Sequence, residues 1–163
     1  MSKKDYPKLT KEYLNLTAEY RVCAELLKRS LFATITYGNK KGVDIFAIGE
    51  KRHVAVVEVK ASNSNRFVTG FYQKYSNEQT TCPHFWVLYS VRQTGEDTFE
   101  ERFFVLSHAE MADAQRTQDR GEGRTYEEHA ALVKNGVDNV SIGSIEKFEN
   151  QWSKIIAHCK AAG

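Results

Sequence analysis

The chain has 163 residues, of which 41% are hydrophobic and 27% charged, a balance that supports one compact domain with a real core and excludes wholesale disorder. No apolar run approaches the roughly 18 to 20 residues of a membrane-spanning helix, so a membrane is not an expected partner. The net charge of +2 conceals an asymmetry: residues 1–75 carry 14 Lys/Arg against 7 Asp/Glu, and residues 76–163 carry 9 against 14.

A basic half can hold a polyanion, which brings nucleic acid into consideration; a solvated surface with uneven charge is the plainer account. The first residues, Met1 to Pro7, lack the apolar stretch of a signal peptide. Cys23, Cys82 and Cys159 lie far apart, with neither zinc-knuckle spacing nor an even disulfide count. A reducing, cytoplasmic setting with free thiols is expected.

The first element is a helix over 17–30, with Thr17 as N-cap and Lys28 and Arg29 at the C-terminal end. The period then changes. Residues 32–37 read as a strand, 38–42 as a turn, 43–48 as a second strand, 49–52 as a tight connection and 53–60 as a third strand. The last two should pair as an antiparallel hairpin. A polar loop over 61–65 precedes a short helix over 66–75, whose apolar positions are Phe67, Val68, Phe71, Tyr72 and Tyr75.

Residues 84–91 form an apolar strand expected at the centre of the sheet. A turn through Gly95-Glu96-Asp97 leads to a strand over 102–106. Ser107-His108-Ala109-Glu110 matches a capping box and should open a helix. Residues 116–128 read as a charged surface loop. A last helix starts near Ser144 and carries Ile145, Phe148, Trp152, Ile155, Ile156 and Cys159 on one stripe, which reads as core packing. The order α-β-β-β-α-β-β-α-α implies an α/β fold, a mixed sheet flanked by helices, in one domain over 1–163.

The third strand contains a conflict. Side chains alternate along a strand, so Val54, Val56, Glu58 and Lys60 share one face and Ala55, Val57 and Val59 the other. Burying either charge alone would cost several kcal/mol, so the pair must be solvated, mutually paired or bound to a metal. Asp44, on the preceding strand, lies directly opposite Glu58 if paired positions sum to 102. If they sum to 101 it faces Val57. The first register is favoured because the second turns Asp44 to the wrong face. Two carboxylates so placed repel unless a cation lies between them.

A third acid comes from the first helix. At 100° per residue, Glu19 falls within the apolar face, near Val22, Cys23 and Leu26, whereas Glu25 falls among Arg21 and Arg29 on the solvent side. Two accounts of Glu19 stand: a first-turn acid favouring the helix dipole, or an inward-pointing functional carboxylate. Asp44, Glu58 and Glu19 would form an oxygen-rich site suited to Mg²⁺ or Mn²⁺, with Lys60 beside it. That combination suits phosphodiester hydrolysis.

Glu19 in the opening helix, Gly42-Val43-Asp44 on one strand and Glu58-Val59-Lys60 on the next resemble the PD-(D/E)xK nuclease superfamily, which has the restriction-endonuclease-like fold and includes archaeal Holliday-junction resolvases. The resemblance covers about residues 17–91, and Val43 stands where the family's name has proline. It implies a three-layer αβββαβ core over 17–91, with a C-terminal β-α-α extension over 92–163. It further implies metal-binding acids at Asp44 and Glu58, a catalytic lysine at Lys60, a helix glutamate at Glu19, a Mg²⁺ or Mn²⁺ cofactor and DNA as substrate. Similar nucleases often dimerise to cut both strands, which makes a homodimer the expected assembly.

Gln73 is either a supporting polar residue, as similar nucleases carry, or a solvent-facing one. Ser62, Asn63, Asn65, Arg66 and Lys74 follow the active strand and either touch phosphates or form a polar loop. Tyr72 and Tyr75 are assigned to core packing, with base stacking as the alternative. A catalytically silent nucleic-acid- or protein-binding module that keeps the fold is the competing account of the whole chain.

Overall fold

The computed structural model describes residues 9–37, 43–75, 81–118, 128 and 138–161. Helix α1 spans Lys11–Lys28, and strands β1 to β3 span Phe32–Ile35, Ile45–Ile48 and Val54–Ser62. Strand β4 is Arg66–Val68 and helix α2 the single turn Phe71–Lys74. Strands β5 and β6 span Phe85–Gln93 and Phe99–Ser107, and helix α3 spans His108–Gln118. Strand β7 is Asn139–Ser141 and α4 is Ile142–Ile145; a 3₁₀ turn over Glu146–Phe148 and helix α5, Ser153–Lys160, follow.

The protein is α/β. Five strands form a mixed sheet in the order β1-β2-β3-β5-β6. Only the β3–β5 pair is parallel. The central strand is therefore β3, and the apolar strand expected at the centre is its inner neighbour. Ala55, Val57 and Val59 of β3 pack with Leu14, Ala18, Val22 and Leu26 of α1 and with Ile155 and Cys159 of α5. On the opposite face Trp86, Leu88, Phe104 and Leu106 pack with Phe67, Phe71, Tyr72, Tyr75, Met111 and Ile145. Helices thus cover both faces of the sheet.

Several sequence expectations need correction. Helix α1 begins at Lys11 with Thr10 before it, not at Thr17. Nothing in residues 11–16 breaks a helix, and Leu14 extends the buried i, i+4 stripe of Ala18, Val22 and Leu26 by one turn. The helix expected over 66–75 begins instead as strand β4, which pairs antiparallel with β7 in a separate two-stranded sheet. The β-branched and aromatic pair Phe67-Val68 favours strand geometry where a partner is available. Gly70, at φ +60°, then redirects the chain into α2.

The last helix is broken. Ile145 and Phe148 belong to one face of the sheet, and Trp152, Ile155 and Cys159 to the other. The chain crosses the edge of β6 between them: Phe104 bridges Glu149, and Asn150 N–H donates to the Phe103 carbonyl at 2.9 Å. Asn150 makes the reversal at φ +55°, a left-handed conformation that asparagine tolerates. The capping box at Ser107 does form. Ser107 N–H donates to Glu110 Oε2 at 2.8 Å, and Glu110 N–H donates to Ser107 Oγ at 3.2 Å. Of the loop read over 116–128, residues 116–118 end α3 and most of the rest lies outside the described residues.

Glu25 is not a surface residue. It is 6% exposed, lying beneath Arg21, Lys28 and Arg29. Arg29 in turn stacks on Trp152 at 4.8 Å, so its guanidinium covers both the carboxylate and an indole. Burial works against the Glu25 carboxylate, but Lys28 and Arg29 outweigh it and hold its pKa below the ordinary value.

Candidate functional site

The β2–β3 hairpin pairs Ile45 with Val57 and Ile48 with Val54, the register in which positions sum to 102. Asp44 is thereby placed across from Glu58. It sits just before β2, where the regular ladder begins. Its backbone N–H donates to the Val57 carbonyl at 3.1 Å. Its Oδ2 accepts the Val59 N–H at 2.7 Å. The side chain is thus tied to the middle of β3 by a charge-assisted hydrogen bond, which fixes its orientation.

Glu58 is fully buried and faces α2 and α3, in register with Trp86 on β5. Both its oxygens are engaged. Oε1 accepts from Lys60 Nζ at 2.7 Å and also from Lys74 Nζ. Oε2 accepts the Tyr75 phenol at 2.6 Å. Burial works against this carboxylate, yet Lys60 and Lys74 outweigh it and hold its pKa below the ordinary value.

The two lysines respond in opposite directions. Burial pulls down the Lys60 pKa, but Glu58 and Asp44 more than offset that and raise it. At Lys74, burial and the neighbouring Lys60 prevail over Glu58, and the pKa falls. Lys60 is therefore the firmly held cation of the pair.

Behind Glu58 stands an aromatic wall. Tyr75 meets Trp86 edge-on with ring centres 5.7 Å apart, and His108 at 5.0 Å. Trp86 Nε1 donates to His108 Nδ1 at 3.1 Å, and His108 stacks on Phe71 at 5.1 Å. Burial lowers the His108 pKa, so the ring is held neutral, as an acceptor for the indole.

The open side of the site is a cleft of about 710 Å³ between the N-terminal half of α1 and the β3–β4 hairpin. Lys11, Asn15, Glu19, Asp44, Lys60 and Arg66 lie along it. Glu19 is half-buried on its wall. Burial raises its pKa first and the charge of Asp44 raises it further, against the pull of Lys60. Asp44 behaves likewise: burial raises its pKa, and neither the Val59 N–H nor Lys60 fully compensates.

The structure therefore brings Glu19, Asp44 and Lys60 to the wall of one cleft, while Glu58 is buried outside its lining and reaches the group through its 2.7 Å ion pair with Lys60. Asn63 and Arg66 also line the cleft, and Asn63 Nδ2 donates to the Leu9 carbonyl at 3.4 Å. Ser62 is different. It borders the same cleft but is buried, and its hydroxyl is engaged by Ser64 and by the Arg66 carbonyl at 2.5 Å, which closes the β3–β4 turn. Gln73 lies on α2, and its side chain is outside the described residues.

Sequence reasoning left Lys74 between phosphate contact and a polar loop and gave Tyr75 to packing, and it missed their hold on Glu58. A usable signal existed. A fully buried carboxylate needs partners for both oxygens, and Lys74-Tyr75 are the donors nearest in the chain on the element that covers that face. Among the described residues no group of three His, Cys, Asp or Glu side chains is gathered closely enough to form a metal cage. Comparison with family models, with curated proteins and with solved structures finds no significant match.

Proposed function

We propose that this chain is a metal-dependent nuclease with a restriction-endonuclease-like core that hydrolyses phosphodiester bonds of DNA. The observation that carries this reading is the pair Asp44 and Glu19. Both carboxylates are partly desolvated and have raised pKa values, Asp44 adding to the rise at Glu19 and Glu58 to the rise at Asp44, and both border an open cleft beside an ammonium. Such a pair is under-compensated, and a divalent cation is what its chemistry lacks.

The donors suit Mg²⁺ or Mn²⁺, which prefer hard oxygens. Mg²⁺ commonly takes one or two carboxylates and completes its shell with water and substrate phosphate, so a three-residue cage is not required. Asp44 and Glu58 would hold the ion, with Glu19 nearby. When bound, the ion neutralises phosphate charge and lowers the pKa of a water.

The chain's own residues supply the rest. Lys60, whose proton is held by Glu58 and Asp44, acts as a cation for the charge that develops on the phosphate and not as a base. The Val59 N–H keeps Asp44 aimed into the cleft. Lys11 and Arg66, at the cleft's margins, are placed to hold the flanking backbone by charge. Lys74 and Tyr75 keep Glu58 satisfied in the absence of an ion, and one of its oxygens must be released for metal binding.

That engagement of Glu58 is also the observation that favours the second reading, a catalytically silent binding module. A cleavage assay with Mg²⁺ or Mn²⁺ separates the two. Wild type should cut DNA, while Asp44→Asn and Glu58→Gln should bind DNA without cutting it. Cleavage that persists unchanged in both variants removes the site assignment. No cleavage by folded wild type favours the silent module.

A further inference from the structure

Helix α1 carries two apolar stripes, and among the described residues only one is covered. Leu14, Ala18, Val22 and Leu26 face the sheet. On the opposite side Tyr13, Leu16, Tyr20 and Leu27 recur at helical spacing and are exposed, Tyr13 to 63% and Tyr20 to 57%. Tyr37, just past β1, is 87% exposed and lies beside Tyr20. Tyr20 follows Glu19 in the chain, and Tyr37 follows Thr36, whose N–H donates to the Asp44 carbonyl at 2.9 Å; Glu19 and Asp44 both line the cleft, so each tyrosine adjoins a residue of its wall.

We propose that the occupant of this surface is single-stranded DNA, whose unpaired bases stack on Tyr20 and Tyr37 while its backbone runs into the cleft past Lys11, Lys60 and Arg66. The proposal rests on the nuclease reading and names its substrate class. Two features favour this occupant. The first is charge: the cleft's cations, Lys11, Lys60 and Arg66, match a polyanion, and its acids, Glu19 and Asp44, are the ones a divalent cation would neutralise. The second is the chemistry of the exposed rings. Every base presents a face that an aromatic side chain can stack on, but only when the base is not already stacked inside a duplex. An exposed phenol pair beside a backbone-binding cleft therefore selects unpaired strands, without reading sequence.

The test is fluorescence anisotropy with labelled oligothymidine in EDTA, so that binding is read without cleavage. Three probes are compared: the oligothymidine, an abasic strand of equal length and a duplex. Wild type should bind the oligothymidine tightest. Tyr20→Ala and Tyr37→Ala should each weaken that binding about tenfold, and Tyr20→Phe and Tyr37→Phe should restore it. The abasic strand should bind weakly and be indifferent to both alanine variants, because it offers charge without rings. Both side chains replaced are mostly exposed, so all four variants should keep the wild-type melting temperature.

Equal affinity for duplex and single strand, or alanine variants that bind the oligothymidine as wild type does, overturns the proposal. So does failure to bind any of the three, which would leave the stripe to a protein partner. Adding Mn²⁺ to the same complexes then tests the parent reading separately. The expected binding pattern without cleavage supports the stacking surface and removes the nuclease. Cleavage of duplex without the pattern does the reverse.

Discussion

The Tyr75 phenol donates a 2.6 Å hydrogen bond to Glu58 Oε2, inside an aromatic wall that excludes water. The bond joins a one-turn helix to the central strand across a buried surface. Burial raises the phenol's pKa and the carboxylate adds to the rise, so the proton stays on Tyr75 throughout the accessible range. Tyr75→Phe would leave Oε2 buried without its donor. Such a loss costs about 1–3 kcal/mol, which lowers the melting temperature by about 2–4 °C per kcal/mol in a chain of this size. A thermal melt in EDTA checks it, and an unchanged midpoint would mean that the bond contributes nothing net.

Asp44 and Glu58 should respond to neutralisation in opposite ways. The folded-state pKa of Asp44 is raised, so the stability it lends is full below the unfolded value and is lost as pH rises through the folded one. At neutral pH without metal its charge is a cost. Asp44→Asn keeps an acceptor for the Val59 N–H and removes that cost, so it should melt at or above the wild-type temperature in EDTA. The folded-state pKa of Glu58 is depressed, so its contribution is present above the unfolded value and is lost as pH falls through the folded one. Glu58→Gln leaves Lys60 and Lys74 buried without a counter-charge and should cost about 3–5 kcal/mol. Adding Mn²⁺ should raise the wild-type midpoint and leave Asp44→Asn unmoved. Melts from pH 5 to 8, with and without Mn²⁺, decide it. A midpoint for Asp44→Asn well below wild type would assign Asp44 a purely structural role.

The sheet was legible where local pattern and global fold agree. Strands β1, β2, β3, β5 and β6 are all β-branched or aromatic runs between turn residues. The hairpin register followed from a single argument, that Asp44 must not be turned away from Glu58. Three things were not legible. The β4–β7 pair joins residues more than seventy positions apart, and Phe67-Val68 reads as helix until its partner is known. The C-terminal stripe has helical spacing, but the left-handed turn at Asn150 sends its two halves to opposite faces. Glu25 falls on the side of α1 that carries Arg21 and Arg29, and the wheel could not show that those arginines fold over it.

Gly49 closes β2 where α5 passes over it. A Cβ built there would lie 2.2 Å from the Cys159 carbonyl oxygen and 2.9 Å from its carbon. Backbone cannot swing aside as a side chain can, so Gly49→Ala must push α5 away from the sheet. Overpacking of this kind costs about 1–3 kcal/mol. Equilibrium urea unfolding should show a lower midpoint with an unchanged slope. Because Asp44 lies at the far end of the same short strand, the fraction that remains folded should bind metal as wild type does. A wild-type midpoint would mean that α5 has room to move.

Lys60 and Lys74 share Glu58 Oε1 but not its benefit equally. The charged form of Lys60 is favoured by the fold, so its contribution is full below the unfolded pKa and is lost as pH rises through the raised folded value. The charged form of Lys74 is disfavoured, so stability grows as pH rises through its lowered folded value towards the unfolded one. Lys60→Met should therefore cost about 1–3 kcal/mol at neutral pH, and Lys74→Met less than about 1 kcal/mol, because Glu58 keeps one ammonium in either case but keeps the better-placed one only in the second. Lys74→Met should also abolish any rise in stability between pH 8 and 10. Denaturant midpoints for both variants across that range check the order. If Lys74→Met proves as costly as Lys60→Met, the two ammoniums are equivalent partners, and the ion pair beneath the cleft is a structural triad with no lysine held for the substrate.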